Sequence, residues 1–199
     1  MTPTVREFVL AELPDPPARV LEVGCGDGAL TRELAGAGYD ALGVDPAAPE
    51  GPRFERTTIE ELAEPGPFDA VVASRSLHHV DDLDVALAKV ARLAPLFVLD
   101  EFAWDRLDER TARWYDAARS RSPDPPPPAS EWRPKHAHLH GFDALRAALG
   151  RHFVERRFAL VPYLYRYLHV PELEPEERTL IERGEIQALA FRYVAVPLD

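Results

Sequence analysis

Through the first hundred residues, short apolar runs alternate with segments whose apolar positions recur every three or four residues. Arg19-Val20-Leu21-Glu22-Val23 is short, β-branched and bounded by glycine, the pattern of a buried strand. Asp27 can cap a helix that runs through Leu30 and Leu34 and is closed by Gly36 and Gly38. Ala41-Leu42-Gly43-Val44 predicts a second strand, ended by Asp45-Pro46, and Arg53-Phe54-Glu55-Arg56 a weaker third. The turn Glu64-Pro65-Gly66-Pro67 precedes a fourth, Phe68-Asp69-Ala70-Val71-Val72-Ala73. A helix then carries Leu83, Ala86, Leu87 and Val90 on one face. Leu96-Phe97-Val98-Leu99-Asp100 is the fifth strand.

Past residue 101 the pattern changes. A helix with Arg106, Leu107, Thr111, Trp114 and Tyr115 leads to a proline run between Ser122 and Ser130, which predicts a stiff extended loop. Trp132 and His136-Ala137-His138-Leu139-His140 follow; on a strand the three histidines would share one face. A helix from Phe142 to Leu149 ends at Gly150. Phe153 to Val161 and Ala190 to Val196 read as two more strands, with a helix around Glu174 to Ile186 between them. Tyr163, Tyr165 and Tyr167, at strand spacing, would share a face as core or pocket wall.

Strands alternating with helices predict βαβ units, a parallel sheet and an α/β fold. Ligands of such sheets sit beyond the carboxyl ends of the strands, near the switch in strand order. The residues at those ends are Glu22 to Gly28, Asp45, Thr57 to Glu60, Ser74 to His79, and Asp100 to Glu101.

The chain has 199 residues, enough for one full domain and too few for two large ones. Its apolar runs are strand-sized, so no transmembrane helix is expected, and the start lacks the basic and apolar stretches of a signal peptide. A single cysteine, Cys25, excludes an internal disulfide and a cysteine-based zinc cluster. A cytoplasmic protein is therefore expected. The net charge of −11 repels a phosphate backbone, which argues against a nucleic-acid partner. Two lysines against many arginines, with 20 prolines, hint at a GC-rich bacterial genome.

The chemistry concentrates after the first strand. Gly24-Cys25-Gly26-Asp27-Gly28 provides a sharp turn and backbone amides that a ligand can approach closely. With Ala29, the glycines satisfy Gly-x-Gly-x-x-Ala, and Asp45 stands about twenty residues on, where a ribose-binding acid belongs. Taken alone, this suits NAD or FAD as well as other adenosine cofactors. Glu22 and Asp27 would repel the pyrophosphate of a dinucleotide and attract a sulfonium and an ammonium. That charge logic favours S-adenosylmethionine.

Val20-Leu21-Glu22-Val23-Gly24-Cys25-Gly26-Asp27-Gly28 resembles the first signature motif of class I S-adenosylmethionine-dependent methyltransferases. Leu42-Gly43-Val44-Asp45 resembles their second-strand acid motif. Phe68 to Ser74, with Leu77-His78-His79-Val80, resembles the fourth-strand motif of the small-molecule branch. Ala190 to Val196 resembles the last antiparallel strand. The resemblance implies a Rossmann-like, doubly wound seven-stranded sheet, mostly parallel with one antiparallel strand near the C-terminus. It implies a single methyltransferase domain over residues 1–199, with a substrate lid at about 101–141.

The same resemblance implies roles. Gly24, Cys25, Gly26 and Gly28 should line the methionine portion of the cofactor, with Glu22 orienting its ammonium. Asp45, followed by Pro46, should bind the ribose hydroxyls. Where the family often has an adenine-contacting acid, this chain has Thr57-Thr58-Ile59-Glu60, so Thr58, the Ile59 backbone or Glu60 could serve. Ser74 and Leu77 should lie near the transferred methyl group.

The implied reaction moves that methyl to an O, N or C nucleophile of a small-molecule acceptor. Aligning the nucleophile is the main catalytic need, and a hydroxyl or amine also benefits from a base, most often histidine. Candidates are His78, His79, Glu101, His136 and His140, with His138 beside them; the histidine triplet is not expected to hold a metal. A monomer or homodimer without a membrane partner is expected. Two other readings are a catalytically silent S-adenosylmethionine-binding partner or sensor and an NAD-dependent oxidoreductase.

Overall fold

The computed structural model describes residues 2–63 and 66–198. The chain divides into two compact units. The larger holds Pro3–Glu101, Asp143–Phe158 and Arg192–Asp199; the smaller holds Met1–Thr2, Phe102–Phe142 and Ala159–Phe191. The lid expected at 101–141 is thus part of a unit that also takes in Ala159–Phe191.

Seven strands form one sheet: β1 (Arg19–Val23), β2 (Asp40–Val44), β3 (Phe54–Glu55), β4 (Ala70–Ser74), β5 (Phe97–Phe102), β6 (Phe153–Val161) and β7 (Ala190–Pro197). Their order is β3-β2-β1-β4-β5-β7-β6. β1 pairs in parallel with β2 and β4, β2 with β3, and β4 with β5. Pairing turns antiparallel near the C-terminus. The chain winds outward from β1 to β3 and then returns to β4 on the other side of β1. That reversal opens a crevice at the carboxyl ends of β1 and β4.

The helices are α1 (Val5–Glu12), α2 (Ala29–Gly36), α3 (Leu83–Leu93), α4 (Glu109–Arg119), α5 (Trp132–His136), α6 (Phe142–His152), α7 (Leu164–Tyr167) and α8 (Glu174–Glu182). In the larger unit, β1, β4 and β5 are buried almost throughout, which is why they read as continuous apolar runs. Leu83, Ala86, Leu87, Val90 and Leu93 form the buried stripe of α3, and the Asp82 carboxylate caps its start by accepting from the Asp84 and Val85 amides. Within the same unit, Arg192 of β7 donates through Nε to Asp100 of β5 at 2.9 Å, and its other arm reaches the Pro3 carbonyl. Both members of that ion pair are buried.

The smaller unit has its own apolar core, including Trp104, Tyr115, Trp132, Tyr163 and Leu164. The proline run is extended and is fastened to α4 by Tyr115 and Arg119, which donate to the carbonyls of Pro127 and Pro126. Buried Glu177 of α8 accepts the amides of Tyr163, Leu164 and Tyr165, satisfying the start of α7.

Several elements differ from the sequence pattern. α1 carries no strong apolar period, but Thr4 and Glu7 form a capping box that nucleates it. The first glycine-loop helix begins at Ala29, with Asp27 accepting the Ala29 amide. β3 is two residues long. β5 runs two residues further than the pattern indicated, so Glu101 lies inside the strand and not after it. Trp132–His136 is helical, so His136, His138 and His140 do not form a strand face. The Tyr163 to Tyr167 stretch turns into α7, whose start is held by Glu177. The predicted turn at 64–67 includes Glu64 and Pro65, outside the described residues.

Candidate active site

β1 delivers the chain into the glycine loop at the crevice. The Gly24 and Cys25 amides both donate to the Val44 carbonyl, at 2.8 and 3.1 Å, tying the loop to the end of β2. Gly24 and Gly26 have left-handed backbones, with φ of +73° and +52°. A Cβ on Gly24 would come within 2.1 Å of Ser76 Cβ, so packing against the β4 turn demands glycine there. A Cβ on Gly26 would meet nothing within 4 Å. The space above that glycine is open, as it must be for a ligand to lie against the loop.

Asp45 stands at the end of β2. Its Oδ2 accepts the Gly26 amide at 3.0 Å and its Oδ1 accepts the Ala47 amide at 2.7 Å. One bond to each oxygen leaves acceptor capacity on both. A cleft of about 580 Å³ opens beside it, lined in part by Gly26, Asp45, Pro46, Thr57 to Glu60, Arg75, Ser76 and His79.

The wall formed by Thr57 to Glu60 is held from behind. Lys89, buried on the apolar stripe of α3, donates to the carbonyls of Glu60, at 3.0 Å, and Leu62. Thr58 accepts the Glu61 amide through its hydroxyl. Glu60 Oε1 is buried without a hydrogen-bond partner among the described residues. A buried acceptor left unpaired is costly and points to a missing donor.

Glu22 sits beneath the loop, 3% exposed, and its Oε2 accepts from the Thr31 hydroxyl of α2 at 2.5 Å. Burial pushes its carboxyl up to about 7; the Thr31 hydrogen bonds oppose this, and the charges of Asp27 and Asp45 add to it. Burial, with Glu22, Asp45 and Asp27, likewise pushes the Cys25 thiol up to about 12, so Cys25 is no thiolate nucleophile near neutral pH. The loop is an electronegative place, suited to a cationic ligand.

On the other side of β1, Ser76 Oγ donates to the Val23 carbonyl at 2.7 Å. Leu77–His79 then form a three-ten turn. Glu101, fully buried on β5, accepts the Leu77 amide at 2.9 Å through Oε2 and meets His78 Nδ1 at 2.5 Å through Oε1. The His79 ring lies 4.2 Å from that of His78 and is exposed on the cleft.

A family model described as a methyltransferase domain matches residues 2–156, more than half of the chain. The chain belongs to the methyltransferase domain family. It is 35% identical over 109 residues to a ubiquinone biosynthesis O-methyltransferase from Methylococcus capsulatus, covering 47% of this chain and 46% of that protein. The chain thus spans about half the length of the curated relatives it matches. A solved S-adenosylmethionine dependent methyltransferase from Mesorhizobium loti superposes with a TM-score of 0.60 at 19% identity, covering 94% of this chain and 95% of that one. A SAM-dependent methyltransferase structure from Methanosarcina mazei also gives 0.60, at 17% identity and 96% coverage of both chains. These structural likenesses are of fold.

Within this methyltransferase domain, the structure gathers Gly24, Gly26, Asp45, Pro46, Thr58, Ile59 and His79 around the cleft. Cys25 is buried in the loop and Gly28 leads into α2. Glu22, Leu77, His78 and Glu101 lie buried behind the cleft. Ser74 is half-buried at the end of β4 and does not line the cleft. His136 and His140 belong to the smaller unit. The buried His136 ring donates from Nδ1 to the Trp132 carbonyl at 2.8 Å, and the His140 carbonyl accepts from the Trp104 indole. Among the described residues no group of three or more His, Cys, Asp or Glu side chains is placed to hold a metal ion. Two residues of this site escaped the sequence pattern: Thr31 and Lys89. Lys89 alone left a signal, a cation between Leu87 and Val90 on an apolar stripe.

Proposed function

We propose that this chain transfers the methyl group of S-adenosylmethionine to an O, N or C nucleophile of a small-molecule acceptor. The observation that carries this reading is Asp45, pinned by two amides with acceptor capacity left on both oxygens, at a cleft that Glu60 also lines. The donor set fits the cofactor. Asp45 would accept the two ribose hydroxyls. Glu60, beside Thr58 and Ile59 on the cleft wall, would accept the adenine amino group. Open space above Gly26 would take the amino-acid tail. Asp27 and Asp45 supply negative potential that favours a sulfonium and an ammonium and disfavours a diphosphate, and Glu22 adds to it where it is ionised.

When bound, S-adenosylmethionine supplies a methyl group activated by its positive sulfur. The chain's part is to orient the acceptor and accept a proton. Orientation can contribute roughly 7–11 kcal/mol in favourable cases. His79, exposed on the cleft, is the group assigned as base for a hydroxyl or amine acceptor. Glu101 and His78 act behind it by fixing the three-ten turn. Residues 101–141, with their tryptophans and histidines, are assigned to acceptor selection.

The net charge of −11 supports a small molecule over a nucleic acid as acceptor. Among the described residues no helix is long and apolar enough to cross a membrane. We assign the protein to the bacterial cytoplasm, as a monomer or homodimer.

Calorimetry with S-adenosylhomocysteine and NAD, followed by S-adenosylmethionine turnover over a panel of small phenols, amines and acids, tests the reading. Binding of the homocysteine and methylation of a panel member are expected. Binding of NAD alone would replace the assignment with an oxidoreductase, and binding without turnover across the panel would favour a silent sensor.

A further inference from the structure

One basic side chain of the cleft has no task in that chemistry. Among the described residues that line the cleft, Arg75 is the only lysine or arginine, and three carboxylates, those of Asp45, Glu60 and Asp81, line it too. Even so, among the described residues Arg75 forms no ion pair within 4.0 Å. It is exposed at the rim, immediately after β4. Its backbone is left-handed, with φ of +53°, a conformation that residues with a Cβ adopt rarely. The position is held from both sides: the Arg75 amide donates to the Asp100 carbonyl at 2.8 Å, and the next residue, Ser76, is fastened to Val23. A glycine would suit this backbone better, so the side chain is retained against local preference. Strain of this kind clusters at ligand sites.

We propose that Arg75 recognises a carboxylate on the methyl acceptor. This rests on the methyl-donor reading above. In that reading the ribose acid stands at β2 and the adenine wall follows β3. The side of the crevice beyond β1, at the end of β4, is then left for the second reactant. Arg75 stands there, with His79 on the same turn. The acidic surroundings repel a free anion, so a single cation among them acts as the selecting contact. A guanidinium suits this because it grips a planar carboxylate with two parallel N–H donors. The proposal names the acceptor class as small organic acids, and makes Arg75 a specificity-determining residue next to the assigned base.

A carboxylate also occurs on the amino-acid tail of the donor, and the experiment must separate the two. The full chain, saturated with S-adenosylhomocysteine, is titrated with two pairs of probes matched in shape and differing in charge. They are benzoate with benzamide, and phenylacetate with phenylacetamide. At least one acid is expected to bind tenfold or more tightly than its amide. R75Q should abolish that preference, R75K should restore part of it, and neither should change affinity for S-adenosylhomocysteine by more than about twofold. The proposal is overturned by acids binding no better than amides in the wild type, or by a preference that survives R75Q. It is also overturned if R75Q weakens S-adenosylhomocysteine tenfold but leaves 5′-methylthioadenosine, which lacks the amino-acid tail, unchanged. That result would hand the arginine to the donor. Failure of the wild type to bind S-adenosylhomocysteine would instead remove the donor reading, and this inference with it.

Discussion

The Nδ1 atom of His78 lies 2.5 Å from Oε1 of Glu101, and both side chains are buried. Glu101 also takes the Leu77 amide, so one carboxylate fastens both the backbone and a side chain of the turn that presents His79. Glu101→Ala would strand a buried amide and a buried imidazole. We expect a loss of about 3 kcal/mol in folding free energy, read by urea denaturation. Glu101→Gln keeps an acceptor for Leu77 and should lose less. Equal stability of Glu101→Ala and the wild type would deny the carboxylate this fastening role.

Asp45 is the residue whose loss should be felt most by the donor. Asp45→Ala removes the charged acceptor proposed for two ribose hydroxyls and also leaves the Gly26 and Ala47 amides without their partner. S-adenosylhomocysteine binding should weaken by roughly 1–3 kcal/mol, about fivefold to 150-fold. Calorimetry reads this directly, and an unchanged dissociation constant would contradict the ribose role.

Glu22 makes stability depend on pH in an unusual direction. Its carboxyl is raised from the ordinary 4.5 to about 7 in the folded chain, chiefly by burial. Between those two values the native state keeps a proton that the unfolded chain has released. Stability from this group is therefore highest at the acid end of the window and falls as pH rises through it. The full effect is about 3 kcal/mol. Glu22→Gln, which can still accept from Thr31, should be more stable than the wild type at pH 8 and should lose that advantage near pH 4.5. Denaturation curves at the two pH values whose difference does not change would count against the raised carboxyl.

Arg75→Gly should stabilise the protein by relieving the left-handed backbone at φ +53°. The expected gain is about 1 kcal/mol, offset in part by the added freedom of the unfolded chain. A melting temperature at or below that of the wild type would mean that the position is not strained. The variant also separates stability from acceptor choice at one residue.

The parts of the site that were legible in the sequence are those made by consecutive residues. The strand, the glycine loop and the acid about twenty residues on are local features, and Gly24, Gly26 and Asp45 stand together at one cleft. Side chains whose roles depend on distant partners were not legible. Nothing near Glu22 in the sequence marks Thr31 as its hydrogen-bond donor, and nothing near Glu60 marks Lys89 as the support of its segment. In the smaller unit the alternation of Tyr163, Tyr165 and Tyr167 imitated a strand. The capping carboxylate of Glu177, more than ten residues away, turns that stretch into a helix. Glu101 was read as lying past a strand end, because a charged residue inside a fully buried strand is uncommon until its partners His78 and Leu77 are seen.

Lys89 gives the proposed adenine side of the cleft an unusual dependence. The loop that carries Thr58, Ile59 and Glu60 hangs from a buried ammonium rooted in a hydrophobic stripe, and Lys89 does not line the cleft. On the proposed reading of that wall, purine preference would be open to retuning from within the interior, by shortening or uncharging one side chain of α3, with the cleft-lining side chains left as they are.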